Sequence, residues 1–343
     1  FYAAGPDEQL HDLSLFLRAR PEQARLFRAR RRDLFQPGLL TLLGVEMQDP
    51  INQPRLFQAA AKAFPDLDYY DADLNITLRH AARCGTFPLA RCYVSADAEG
   101  NAGELRVLDS PWDLDPIEPP LRVLSLRPDT DPGHAPPSAL LAAHGKHEYR
   151  FSLKPDRALL INLRALLVRY DPDMLLTVSG DTWLLPYLLD LSKELNLPLP
   201  LNREPERAVL RKKEGTYFSY GQIIYRGQQI HLYGRAHIDC RNAMMWQSYD
   251  LDGALESARI TALPVQVAAR VSPGTGISSM QITTALRNEI LVPWRKQQVE
   301  RPKTALDLIT YDQGGLVYQP ITGLHYDVGM IDFISMYPSI CLL

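Results

Sequence analysis

The sequence predicts an α/β fold, a mixed sheet with flanking helices, and three observations carry that expectation. From Leu121 to Tyr233, apolar runs of strand length alternate with segments of helical periodicity. Ahead of them lies a shorter α+β stretch, set off by Asp109 to Pro120, which is rich in Pro and Asp and has little periodicity. At 343 residues the chain exceeds one ordinary domain, and roughly two or three units fit its length.

Taken in order, residues 8 to 33 place Leu10, Leu13, Leu17 and Phe27 at helical spacing with an interruption at Pro21, so two short helices are expected. Arg18, Arg20, Arg25, Arg28, Arg30, Arg31 and Arg32 crowd the same stretch, which fits a solvated helix face or a face that contacts phosphate. Pro65 to Tyr70 and Leu89 to Val94 read as an extended pair around a helix carrying His80 to Arg83. Arg122 to Leu126 and His147 to Lys154 read as strands, Asp156 to Tyr170 as an amphipathic helix and Met174 to Ser179 as a buried strand. Asp181 to Asn196 reads as a helix with Pro186 inside or after its first turn. Tyr217 to Tyr225 and Gln228 to Tyr233 alternate apolar and polar residues around Arg226-Gly227, a hairpin signal.

Asp250 to about Arg301 is mostly helical and reads as a connector. It is broken at Ser272-Pro273-Gly274-Thr275-Gly276, which lacks the GK[ST] ending of a phosphate loop and reads as a turn before a helix capped by Ser278 or Ser279. Strands resume at Leu316 to Tyr318 and Val328 to Phe333, and Pro338 sits where a helix would begin. The boundaries expected are therefore 1–115, 116–249, 250–310 and 311–343.

A hydrophobic fraction of 46% and a charged fraction of 22% exclude a disordered chain. The net charge of -3 and a pI near 6.3 give no overall basic signature. Cys84, Cys92, Cys240 and Cys341 have neither CxxC spacing nor the density of a disulfide scaffold, which points to a reducing, cytoplasmic setting. No apolar run reaches the roughly 18 residues of a membrane span, so no membrane partner is expected. The chain opens on Phe1 and stops in the apolar run Cys341-Leu342-Leu343, so each end reads as a fragment boundary.

The most informative residues are Asp332-Phe333-Ile334-Ser335-Met336-Tyr337-Pro338-Ser339-Ile340. A carboxylate at a strand end can hold divalent metal in an open site, while N–H groups of the following turn and helix start point at phosphate oxygens. Two-metal nucleotidyl transfer uses those parts. The stretch resembles motif A of the family B DNA polymerases, DFxSLYPSI, with Met336 in place of Leu. Gly314-Gly315-Leu316-Val317, Pro320 and Gly323 resemble the approach to it, although Asp312 stands where the family's YxGG element has Tyr and Tyr311 lies one place earlier. The resemblance implies that Asp332 ligates two Mg2+ ions through its carboxylate and Phe333 through its backbone carbonyl. It implies that Ser335, Met336 and Tyr337 offer N–H groups to a dNTP, and that the Tyr337 ring excludes a 2′-hydroxyl. Primer-template DNA is the implied partner. The family's second carboxylate, in its DTD motif, would follow Leu343, so these residues alone are expected to be inert in primer extension.

The middle of the chain resembles the family's 3′-5′ exonuclease domain, an RNase H-like fold, without its carboxylates. Leu124-Ser125-Leu126-Arg127-Pro128-Asp129-Thr130 fits the first motif with Arg127 for its Asp and Asp129 for its Glu. Thr177-Val178-Ser179-Gly180-Asp181-Thr182-Trp183-Leu184-Leu185-Pro186-Tyr187-Leu188 fits the second, with Ser179 on its Asn and Leu184 on its catalytic Asp. The third needs Tyr and Asp four apart, and Glu256 to Leu306 contains neither residue. A guanidinium about 4 Å from a divalent ion repels it by roughly 8 kcal/mol at an effective dielectric of about 20, so no proofreading is expected. Gly234-Arg235-Ala236-His237-Ile238-Asp239 resembles the family's GRxHxD strand. Tyr69 to Leu74 and Gly85 to Ala90 resemble its N-terminal domain. The alternative is a DNA-binding or accessory protein on a polymerase scaffold whose chemistry has decayed throughout.

Overall fold

The structure, a computed structural model, describes residues 1–219, 222–294, 303–311 and 318–342. It divides into two units, Phe1–Lys296 and Gln297–Leu343.

The first unit opens with β1 (Tyr2–Ala4), α1 (Asp7–Arg18), β2 (Ala24–Arg32), β3 (Leu39–Met47), α2 (Gln53–Ala63), β4 (Asp68–Tyr70) and α3 (Ile76–Cys84). Its antiparallel sheet has the order β2-β3-β1-β4. Leu13 and Leu17 of α1 and Leu56, Phe57 and Ala60 of α2 are buried against Ala3, Val45 and Tyr69 of that sheet.

Two expectations are corrected here. The second arginine-rich helix is strand β2, paired with β3 from Ala24↔Met47 to Arg32↔Leu39. Arginine is a good helix former, but nine residues of ladder, with Leu26 packed on the core and Arg28, Arg30 and Arg32 exposed farther along the same side of the strand, outweigh a local preference of tenths of a kcal/mol per residue. The Phe27 ring occupies the place of a Cβ on Gly44, 2.5 Å from its Cζ, so the facing position requires glycine. The second correction concerns pairing: β4 pairs with β1, while β5 (Cys92–Ala96) forms its own hairpin with β6 (Ala102–Val107).

The larger sheet combines β7 (Val123–Pro128), β8 (Ala139–His144), β9 (His147–Ser152), β10 (Met174–Thr177) and β15 (Ala236–Asp239) in the order β15-β10-β7-β8-β9. β7, β10 and β15 run parallel, and β8 is antiparallel to both of its neighbours. α4 (Asp156–Tyr170) and α5 (Leu185–Glu194) cover one face, where Leu159, Leu160, Leu163, Leu185 and Leu188 meet Leu124, Leu126, Leu140 and Leu175. Pro186 falls in the first turn of α5, as expected, because the N–H it lacks would have no intrahelical acceptor there.

Between these strands, β11 (Leu210–Lys212) pairs with β14 (Gln229–His231), and β12 (Gly215–Ser219) pairs with β13 (Gln222–Arg226). The hairpin therefore closes between Ser219 and Gln222 instead of at Arg226-Gly227; residues 220 and 221 lie outside the described residues. The apolar–polar alternation runs across both arms, so it carries no mark of the turn between them.

α6 (Trp246–Thr261), α7 (Val265–Ala268) and α8 (Pro273–Arg287) follow. The cap of α8 is Ser272, whose side chain accepts from Thr275 N at 3.4 Å. Ser278 and Ser279, expected as caps, lie inside the helix and donate back to Gly274 O and Thr275 O at 3.0 and 2.9 Å.

The second unit contains α9 (Ala305–Tyr311) and α10 (Met336–Leu342). Leu316 and Val317 of one expected strand, with Asp312, Gly314 and Gly315, lie outside the described residues. Val328 to Phe333 is not a strand: no described strand pairs with it, and a lone strand has no partner for its outward N–H and C=O groups. Among the described residues no helix is long and apolar enough to cross a membrane, and the four cysteines are free thiols.

A buried polar cluster joins the larger sheet to the helices behind it. Asp181, in the wide turn Gly180–Leu184, is fully buried; both its oxygens meet the Arg270 guanidinium at 3.1 Å, and they also accept from Ile230 N at 2.7 Å and Asn242 Nδ2 at 2.7 Å. Arg270 donates on to His237 O at 2.7 Å. His237 hydrogen-bonds Ile230 O through Nδ1 at 2.7 Å and Thr177 Oγ1 through Nε2 at 2.8 Å. A Cβ on Gly180 would lie 1.8 Å from Thr177 Oγ1 and 2.9 Å from His237 Nε2, so this position too must be glycine. Burial, aided by Arg270, lowers the His237 pKa to about 4, and burial lowers that of His231 to about 3.

Removing one partner of a buried pair leaves an uncompensated charge. Arg270→Met is therefore expected to cost about 3–5 kcal/mol, and Asp181→Asn with Arg270→Met less than Arg270→Met alone, as read by thermal denaturation. The two imidazoles set a pH dependence as well. Below about 6.5 the unfolded chain takes up protons that the folded chain refuses, so their contribution is complete above that pH and is lost as pH falls toward 4. Asp239 and Asp71, raised by burial, oppose this, whereas Asp129 and Asp173, held low by their hydrogen-bond donors, add to it as pH falls further. The midpoint temperature should fall across that window, and less steeply in His237→Gln.

Candidate active site

Two places in the chain carry residues of the type that bind metal and phosphate. One is the carboxyl end of β7. Arg127 is exposed there, and Asp129 follows just past the strand. The Asp129 carboxylate accepts from Ser138 N at 2.9 Å, Ser138 Oγ at 2.6 Å and Arg150 at 2.9 Å. These donors, led by the Ser138 hydroxyl, hold its pKa well below the usual carboxylate range. Asp131 is engaged by Arg241 at 2.7 Å and His134 Nδ1 at 3.0 Å, and Arg241 also reaches Ser179 Oγ at 3.3 Å. Leu184 has no exposure at all and belongs to the leucine core under α4 and α5.

The positions read from the sequence as former metal ligands are thus a guanidinium, a carboxylate committed to three donors, and a core leucine. Asp181 points into the polar cluster instead. Sequence reading singled out Asp181 and His237 but missed Arg270, their shared partner; a lone arginine in the apolar run Val265–Val271 was the available signal.

The second place is Asp332–Tyr337. Residues 318–335 form neither helix nor strand, and Ser335, with φ 53°, takes the left-handed conformation immediately before α10. Ser339 N donates to Ser335 O at 2.9 Å, which makes Ser335 the residue from which the helix starts. Asp332, Phe333, Ser335, Met336 and Tyr337 are all exposed, Phe333 at 73% and Tyr337 at 76%. The first N–H groups of a helix have no acceptor within it, so those of Met336 and Tyr337 are directed outward, and Pro338 has none to offer. Sequence adjacency alone brings these five residues together.

Among the described residues no group of three His, Cys, Asp or Glu side chains could hold a metal ion.

No family model matches the chain. Among curated proteins it is similar to the DNA polymerase of Archaeoglobus fulgidus, with 24% identity over 228 residues, 54% of this chain and 28% of that protein. It is 22% identical over 232 residues to DNA polymerase 1 of Pyrococcus abyssi, covering 54% of this chain and 30% of the other. A shorter match, 30% over 88 residues, links 26% of the chain to 14% of DNA polymerase 2 of Saccharolobus solfataricus. Among solved structures, that of the family B DNA polymerase from the hyperthermophilic archaeon Pyrobaculum calidifontis shares the fold. The TM-score is 0.60 at 19% identity, over 88% of this chain and 47% of that one. The chain spans less than a third of the length of these curated relatives.

Proposed function

The chain is a relative of the family B DNA polymerases, and from that premise we propose that it supplies the exonuclease-like region and the first metal-binding segment of a template-directed DNA polymerase. One observation carries the reading: an exposed carboxylate, Asp332, lies just ahead of a left-handed Ser335 and the unpaired N–H groups that begin α10. A carboxylate and helix-start donors on one short segment suit a magnesium–triphosphate.

On this reading the Asp332 carboxylate and the Phe333 carbonyl oxygen hold Mg2+. Bound metal would supply Lewis-acid stabilisation of the charge that builds on the transferred phosphate. The N–H groups of Ser335, Met336 and Tyr337 orient the triphosphate of a dNTP, the Tyr337 ring packs under the sugar, and primer-template DNA is the second substrate.

We read the five-stranded sheet as an RNase H-like exonuclease scaffold, supported by its single antiparallel internal strand β8 and the parallel trio beside it. Residues 1–115 then form the N-terminal domain, 116–249 the exonuclease-like domain, 250–310 the connector and 311–343 the start of the palm. Arg127, the committed Asp129 and the buried Leu184 support loss of proofreading. Those same decayed positions favour a second reading, a DNA-binding protein with no chemistry left; intact Asp332 and Tyr337 argue against it.

Primer extension by the complete protein tests the proposal. Asp332→Asn should lower dNTP incorporation at least about 10³-fold, about 4 kcal/mol of barrier, and Tyr337→Ala should admit ribonucleotides. Undiminished extension by Asp332→Asn would overturn the catalytic reading, and wild type that binds DNA but never extends would establish the second. A 3′-labelled single strand should stay intact with magnesium or manganese; shortening would restore the exonuclease.

A further inference from the structure

The polymerase reading leaves the arginines of β2 without a role. Five lie within its nine residues. Arg25 is paired with Glu46 at 2.7 Å and Arg31 with Glu289 at 3.1 Å. Arg28, Arg30 and Arg32 are exposed, and none of their side chains makes a hydrogen bond or ion pair with another described residue. They alternate along a strand, so all three project from one side, about 6.8 Å apart at about 3.4 Å per residue. Their partners across the ladder, Leu43, Thr41 and Leu39, bring no opposing charge. β2 is also the last strand in its sheet order; beyond it, Arg32 bridges Ile290, and Leu291 N donates to Arg32 O at 2.9 Å.

Charge on an edge strand has a structural use, because it blocks sheet-to-sheet association. One or two charges serve that purpose. Three like charges in register repel each other by about 0.6 kcal/mol per adjacent pair in water, before screening, and the neighbouring carboxylates are engaged elsewhere: Glu46 with Arg25, Glu289 with Arg31, and buried Asp33 with the Tyr70 hydroxyl. Their spacing suits a polyanion of regular step. The phosphates of one nucleic-acid strand rise about 3.4 Å apiece along the axis, and with the turn of the strand consecutive phosphates lie on the order of 6–7 Å apart through space.

We propose that Arg28, Arg30 and Arg32 form a phosphate-contacting ladder that holds the backbone of a DNA strand, without base specificity, along the edge of the N-terminal sheet. DNA as the polyanion rests on the polymerase reading; the ladder lies in a different unit from Asp332, so the two ideas fail separately.

The experiment is fluorescence anisotropy of a labelled 20-nucleotide single strand and of its duplex with the full 343-residue chain, across a salt series. Arg28→Gln, Arg30→Gln and Arg32→Gln together should reduce the slope of log K against log salt by about 2 on the single strand and between 2 and 3, about 2.7, on the duplex. Affinity at low salt should fall at least tenfold. Arg25→Gln, which breaks an existing ion pair, should leave the slope near wild type. Circular dichroism checks the fold, and if the triple variant does not fold, Arg30→Gln alone should show about a third of the change. A triple variant with wild-type slope and affinity overturns the ladder, and so does a folded Arg30→Gln that binds as wild type when the triple cannot be read. Equal competition by poly-glutamate overturns its assignment to nucleic acid. Asp332→Asn should bind as wild type while losing incorporation in the complete protein, whereas failure of the polymerase reading would leave the slope change standing.

Discussion

The ion pair between Asp181 and Arg270 is the constraint on which the larger sheet depends. Its two residues stand 89 positions apart, one in the turn after β10 and the other between α7 and α8. Neither could be buried alone, since an isolated charge in an apolar interior is far costlier than the pair. Folding the sheet and docking the helices are therefore coupled: Asp181 is satisfied only when Arg270 arrives, and His237, Ile230 and Asn242 are bound to the same two groups. Such a pair adds little net stability over well-packed apolar residues; here it fixes which turn meets which helix.

That coupling explains two glycines and one motif. Gly180 is small because the Thr177–His237 hydrogen bond fills the space its side chain would need. In the stretch from Gly234 to Asp239, Gly234 takes a left-handed φ of 69°, Arg235 holds the carbonyls of Pro172, Pro200 and Leu201, and His237 and Asp239 face the cluster. Residues that look reactive in isolation act as braces. The Asp129 and Asp131 carboxylates likewise tie loops to neighbouring arginines at the mouth of the sheet.

The central sheet was legible in the sequence because its strands and helices carry strong, distinct periods: α4 runs from Asp156 to Tyr170 as its leucine spacing demands. Short strands near the start were less so. β2 is written mostly in arginine, whose outward alternation shows only once the partner strand is known. The hairpin of β12 and β13 was misplaced because alternation continues through its turn. At the candidate site, identities were readable and environment was not. Nothing local shows that Leu184 is wholly buried or that Asp129 is fully engaged, since both facts arise from residues distant in sequence.

Leu184 also limits which side chains its position can hold. It sits among tightly packed leucines, at the position where the polymerase resemblance places an acid. An aspartate arriving there by mutation would meet hydrocarbon on every side, stay protonated and weaken the core before it could contribute to any reaction. Placing a carboxylate at this position would thus be opposed on folding grounds. Packing of this sort works as a ratchet: where hydrophobic contacts enclose a position, lineages can modify the surface around it far more easily than open it to a charged group.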